Sequence, residues 1–172
     1  MRVSQEIVIN PISVMLNGQP VATNEQGEKM LVELYRRYVK DYPKFFKMDT
    51  LSRLGFIAAE LVLQDQRVEA VILANRSASI KNDTDYLATI TGENYYPSPA
   101  LFVYTLPNIV TGEIAIRHHI QGETSCYILE KPEQLEPIIL SQITRQSPIL
   151  AGWCECSGPN TFNAKLQIIW NN

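Results

Sequence analysis

The sequence lacks the features that would place the protein in a membrane or on a nucleic acid. Its net charge is -3, so no basic excess draws it to nucleic acid or to an anionic membrane surface. Glu, Arg or Gln interrupts its longest apolar runs every few residues, which predicts that no segment spans a bilayer. The first residues carry one basic side chain and no apolar stretch, so we expect no signal peptide.

Cysteine and histidine are scarce. Three cysteines are an odd number for disulfides, and with no export signal they favour a reduced, cytoplasmic setting. Cys154 and Cys156 flank Glu155 and would share one face of a strand. A metal site there would also need His118 and His119, so we interpret the two cysteines as buried structural thiols. We expect no metal and no cofactor.

The composition is that of one globular domain, with 45% hydrophobic and 19% charged residues over residues 1–172. Predicted strands cover 6–14, 68–74, 123–129, 148–156 and 164–170. Predicted helices cover 23–41, 50–64, 82–90, 105–120 and 132–144. Strands separated by helices predict an α/β fold, a layered mixed sheet with helices on its faces, mostly parallel with an antiparallel end.

The helix predicted over 50–64 is apolar around most of its circumference. Asp49 or Thr50 can serve as its N-cap. A helix of this kind is expected to be buried between layers. The strand that follows, Val68 to Ala74, shows little alternation after Glu69, which indicates that both of its faces are covered.

The most informative segment begins Asn94-Tyr95-Tyr96-Pro97-Ser98-Pro99-Ala100-Leu101-Phe102 and continues through Thr105-Leu106-Pro107-Asn108 to Gly122. It resembles the segment that leads into the active site of β-ketoacyl synthases, the condensing enzymes of fatty-acid and polyketide assembly. Residues 48–59, 67–75 and 151–153 resemble further pieces of the same family in the same order. The resemblance implies half of a thiolase-like fold, the N-terminal half, over most of residues 45–156.

In that family a nucleophilic cysteine stands at the start of a buried helix, where its pKa is lowered and backbone N–H groups stabilise the oxyanion. Counted from Gly122, this position falls at about Lys131, so the nucleophile is missing. Cys126 lies earlier, inside a predicted strand. Gln134 is about three residues out of register with the glutamine that chain-length factors often carry. The family's remaining catalytic residues, usually histidines, belong to a C-terminal half that we expect to be absent.

Three hypotheses about function follow. The first is a non-catalytic ketosynthase-like accessory or scaffold subunit in fatty-acid or polyketide-type biosynthesis. The second is an acyltransferase or condensing subunit whose active site a partner completes or which uses Cys126. The third is a module that binds an acyl group in a pocket near Phe102, Tyr104 and Ile109.

The expected partners are a second copy of the chain or a complete ketosynthase, and beyond these an acyl carrier protein. A lone half of the thiolase-like fold would leave one side of its helix layer uncovered. The apolar helix from Leu51 to Leu63 is therefore the predicted interface.

Overall fold

The computed structural model describes residues 1–91 and 95–171, so Asn94, where the ketosynthase-like segment begins, lies outside the described residues. Within them the strands are β1 Arg2–Asn10, β2 Ser13–Leu16, β3 Gln19–Pro20, β4 Ala70–Asn75, β5 Thr124–Ile128, β6 Ile149–Gly158 and β7 Thr161–Trp170. The α-helices are α1 Gly27–Leu34, α2 Thr50–Leu63, α3 Ile80–Leu87, α4 Pro99–Val103, α5 Ile109–His118 and α6 Glu136–Ile143. No helix in this part of the chain has the length and apolar character needed to cross a membrane.

The strands form one mixed sheet in the order β3-β2-β1-β7-β6-β4-β5. The predicted α/β layered architecture is confirmed. The prediction of mostly parallel pairing is wrong, because only β4 with β5 and β4 with β6 run parallel. The remaining pairs are antiparallel, since β7 returns from β6 as a hairpin and β1 adds to the far side of β7.

The single strand predicted over 6–14 is in fact two strands. The chain reverses at Pro11 and Ile12 between β1 and β2. The Asn10 side chain stabilises this reversal, accepting the Ile12 N–H at 3.0 Å and donating to Ser13 Oγ at 2.7 Å. Asparagine side chains form turns of this kind by hydrogen bonding to the backbone of nearby residues. Because apolar residues lie on both sides of this turn, the sequence pattern predicts one continuous strand.

Helix α2 is the central helix of the fold. Of the two predicted N-caps, Asp49 and Thr50, the structure has Asp49, whose carboxylate accepts the Ser52 N–H at 3.0 Å. Helix α2 packs against the strands β1, β6 and β7 and against the helices α1 and α5. Every large apolar side chain of α2 is buried, so the prediction that this helix is an open interface is wrong.

Other helix boundaries differ from the sequence predictions. Helix α1 begins at Gly27 and continues into a π-helical turn, Tyr35–Val39, and the chain then forms a 3-10 turn, Pro43–Lys47. Thr105 does not cap a helix; its hydroxyl donates to the Phe102 carbonyl at 2.7 Å. Helix α4, which was not predicted, precedes this turn, and α5 starts only after Asn108.

Two cores lie on opposite faces of the sheet. Val71 and Leu73 of β4 face the larger core, which packs against α2 and α5. Ala70, Ile72 and Ala74 face a smaller core under α6. All residues of β4 are buried, which explains the missing alternation in its sequence.

Candidate functional site

The position that the resemblance assigns to the nucleophile lies where the chain leaves β5 and starts a helix. Lys131 is the N-cap of a 3-10 turn, Pro132–Leu135, that leads directly into α6. The Oε1 atom of Gln134 accepts the N–H groups of Glu130 at 2.9 Å and Lys131 at 3.0 Å. These two backbone N–H groups next to the helix start are therefore already hydrogen-bonded to Gln134. Free backbone N–H groups at such a position can stabilise an oxyanion.

A groove of about 370 Å³ lies beside this helix start, between α6 and the strands β6 and β7. Its apolar lining includes Leu135, Ile139, Trp153 and Ile169, and Glu133, Glu136, Lys165 and Gln167 also line it. The groove is on the α6 face of the sheet, where Leu135 and Ile139 pack against β4 and β6. Pro132 and Glu133, which directly follow Lys131 in the sequence, also line this groove.

Cys126 points to the other face of the sheet. In the β4–β5 register it pairs with Leu73, which belongs to the core under α2 and α5. The next residue, Tyr127, packs against the α6 core. Burial raises the pKa of the Cys126 thiol to about 11. Cys126 is therefore a protonated thiol at neutral pH, directed away from the helix start at Lys131.

Cys154 and Cys156 share one face of β6, and both are buried. Cys154 Sγ lies 4.0 Å from the Leu51 carbonyl oxygen, and Cys156 Sγ lies 3.6 Å from that of Gly158. Burial raises the pKa of Cys156 to about 12 and that of Cys154 well above its usual range. We retain the interpretation of both as structural thiols. Among the residues that the structure describes, no three metal-binding side chains converge.

The two histidines lie at the C-terminal end of α5. His118 is its last residue, and His119 is the C-cap in the left-handed conformation. His118 Nε2 lies 3.0 Å from Glu60 Oε1. The neighbouring Arg117 donates to the same carboxylate at 2.9 Å, which ties α5 to α2.

The three residues of the predicted acyl pocket have different surroundings. Phe102 on α4 is 58% exposed, and its ring centroid lies 5.4 Å from that of Tyr86 on α3. Tyr104 is 8% exposed. Ile109, at the start of α5, packs partly buried against the larger core. An acyl pocket at these positions stays a prediction.

Sequence reasoning missed the open edge of the sheet at β5. At the two ends of β5, the Val71 N–H donates to the Glu123 carbonyl and the Leu129 N–H donates to the Asn75 carbonyl, each at 2.8 Å. In a parallel ladder this alternation directs the N–H and C=O groups of Thr124, Cys126 and Ile128 outward. The strand contains no proline, lysine or bulge, the usual protections of an edge, and Ile128 is 51% exposed.

Solved structures resemble this chain in fold. A ketosynthase (ApeO) in complex with its chain length factor (ApeC) from Xenorhabdus doucetiae matches with a TM-score of 0.69 and 12% identity, over 99% of this chain and 79% of that chain. The ishigamide ketosynthase/chain length factor matches with a TM-score of 0.62 and 15% identity, over 97% of this chain and 61% of that chain. No family model and no curated protein matches the sequence.

These matches confirm the ketosynthase-like resemblance at the level of fold. The chain is an α/β protein with a thiolase-like fold of the kind found in ketosynthase and chain length factor proteins. It aligns over nearly its whole length with only part of each matched chain.

Proposed function

We propose that the protein is a non-catalytic, ketosynthase-like accessory subunit that associates with a complete ketosynthase in fatty-acid or polyketide-type biosynthesis. The observation that carries this proposal is the helix start at Lys131. The position lacks a thiol, and Gln134 occupies the neighbouring backbone donors. Covalent acyl transfer needs an activated nucleophile and stabilisation of the oxyanion, so this helix start is unsuited to the family's chemistry.

The geometry also weighs against the enzyme hypothesis that relies on Cys126. Its thiol faces the core under α2 and α5, on the far side of the sheet from Lys131. Burial disfavours the thiolate, which is the reactive form. For Cys126 to act as the nucleophile, β5 would have to turn the thiol away from the core under α2 and α5 and towards the helix start at Lys131.

Association with a partner is supported by the fold and by β5. Both matched structures are named as ketosynthase and chain length factor assemblies. The outward backbone groups of Thr124, Cys126 and Ile128 can continue the sheet into a strand of another chain. We assign the partner surface to this edge. In this proposal the partner is a complete ketosynthase, which would present the acyl carrier protein's thioester to its own active site.

Light scattering over a dilution series, with and without a ketosynthase encoded beside this protein, tests the association. We expect a heteromer that weakens at least about tenfold with Ile128→Lys, because a charge on an edge strand opposes strand pairing. Ile12→Lys is the matched control, since Ile12 is 70% exposed in the β1–β2 turn, away from β5. A monomer that ignores the ketosynthase, or equal effects of the two variants, would contradict the proposal. A homodimer that resists the ketosynthase would favour a second copy as partner.

Intact mass spectrometry tests the absence of catalysis. The purified chain is incubated with acyl-CoA and with acyl carrier protein thioesters, and we expect no covalent acyl adduct. The control is the same incubation with a complete ketosynthase, which should be acylated. A stoichiometric adduct that disappears in Cys126→Ala and persists in Cys156→Ala would establish the enzyme hypothesis instead.

A further inference from the structure

The groove between α6 and the strands β6 and β7 has an apolar floor. Leu135, Ile139 and Ile169 line the groove and are at most 7% exposed, so their side chains lie at its base. The volume of about 370 Å³ is within the range of sites that hold small organic molecules. The apolar body of such a molecule would cover this floor, and the charges on the walls would select its polar group.

The lysine on the sheet wall of the groove already has a partner. Lys165 Nζ lies 3.2 Å from Glu6 Oε2, and Gln167 Nε2 donates to the same oxygen at 2.5 Å. Glu6 belongs to β1, which adjoins β7 on the side away from β6. Both side chains therefore reach away from α6, and Glu6 balances the positive charge of Lys165.

The carboxylates on the helix wall have no such partner. Glu133 lies in the 3-10 turn, Glu136 is the first residue of α6, and both are exposed where they line the groove. Within residues 1–91 and 95–171, no ion pair involves either of them. A helix start favours carboxylates, which explains why they occur here, but it supplies no counter-ion. The helix wall therefore presents two unpaired negative charges.

Trp153 provides the aromatic surface of the sheet wall. It packs partly buried against the core under α6, and it lines the groove. Its cross-strand neighbour on β7 is Lys165, the lysine that is paired with Glu6. The face of an indole ring attracts cations more strongly than the rings of tyrosine or phenylalanine do. An aromatic ring and two carboxylates, which all favour a positive charge, thus line the same groove.

We propose that this groove binds a small organic amine, whose ammonium group meets Glu133, Glu136 and the Trp153 ring and whose apolar body covers the floor. An anion of the same shape would be repelled by the two carboxylates, and a neutral molecule would gain only the apolar contacts. Charge complementarity therefore favours the amine. The inference goes beyond the proposed function, because it involves no residue of β5 and no second chain.

Titration with 2-phenylethylamine, followed by the proton–nitrogen NMR signals of the two indole N–H groups, tests this inference. Trp153 lines the groove, whereas Trp170 donates to Ser4 and packs against the larger core, so the Trp170 signal is an internal reference. We expect the Trp153 signal to shift and the Trp170 signal to stay. The probes 2-phenylethanol and 3-phenylpropionate carry the same aromatic body with a neutral and a negative group, and each should bind about tenfold more weakly than the amine.

Two charge-matched double variants locate the site. Glu133→Gln combined with Glu136→Gln should weaken binding of the amine about tenfold, because it removes both carboxylates of the helix wall. Glu25→Gln combined with Asp65→Asn changes the net charge by the same amount at exposed carboxylates that do not line the groove, and it should weaken binding less than about twofold. Circular dichroism confirms that both variants are folded.

Four outcomes would overturn the inference. These are equal affinities for the amine and the alcohol, equal losses in the two double variants, a Trp153 signal that does not move, and preferential binding of 3-phenylpropionate. The last would show that Lys165 rather than the two glutamates sets the charge preference of the groove. No ketosynthase is present in these titrations, so failure here and failure of the proposed association are distinguishable.

Discussion

Replacing Gly55 with alanine tests whether the chain itself covers α2. An added Cβ at Gly55 would lie 2.3 Å from Val110 Cγ2 and 3.4 Å from Cys154 Sγ. The first distance is far below van der Waals contact, so α5 would have to shift against α2, and overpacking of this kind costs about 1–3 kcal/mol. Alanine returns about 1 kcal/mol through its higher helix propensity. We expect Gly55→Ala to lower the free energy of unfolding by about 1 kcal/mol.

Gly112→Ala in α5 is the matched control. An added Cβ there meets no atom within 4 Å, so only the propensity gain remains, and the free energy of unfolding should rise by about 0.5–1 kcal/mol. Urea unfolding followed by circular dichroism measures both variants. Val110→Ala in the Gly55→Ala background removes the clashing methyl group, so the double variant should lose less than the sum of its parts. Stabilisation by Gly55→Ala would refute the close contact between α2 and α5.

Three further predictions concern stability. Burial raises the pKa of Glu60, but the neighbouring His118 and the hydrogen bonds from Arg117 outweigh it and hold the pKa below its usual range. This stabilisation is therefore full above the unfolded-state pKa of about 4.3 and is lost as the pH falls through the lower folded pKa, so Glu60→Gln should flatten the fall of Tm below about pH 5. Cys154→Ser should cost on the order of 1–3 kcal/mol in urea unfolding without changing metal content, and bound zinc that the variant loses would refute the structural role. Asp49→Ala should cost about 1 kcal/mol by removing the N-cap, and an unchanged urea midpoint would show that the cap contributes nothing.

Local signals predicted the central helix and the central strand. Helix α2 was placed to within one residue, because Asp49 caps it and its apolar residues extend around its circumference. Strand β4 was recognised as covered on both faces from its lack of alternation. These features depend only on residues that are close in sequence, so local patterns are sufficient to predict them.

Features that depend on strand order could not be predicted. Arg2 pairs with Trp170, so β1 lies beside the last strand, and no local pattern encodes that neighbour. The direction of the Cys126 side chain likewise depends on which helices cover each face of the sheet. The role of Gln134 did leave a signal. A glutamine three residues after the N-cap of a helix can accept the N-cap backbone N–H. Gln134 lies three residues after Lys131, so the spacing predicts the hydrogen bond that the structure has.

The burial of the helices and the strand order indicate where a partner could contact this fold. Helices α2 and α5 cover one face of the parallel strands and α6 covers the other, so β4, the middle one of the three parallel strands, is buried without a second half-domain. An uncovered α2 would have made apolar area the driving force of association. With α2 buried, the sheet of the described residues has two edge strands, β3 and β5, and β5 is the one beside the parallel strands. In the association proposed above, the partner would contribute an exposed strand of its own, and its sheet, rather than its helix layer, would continue the sheet of this chain.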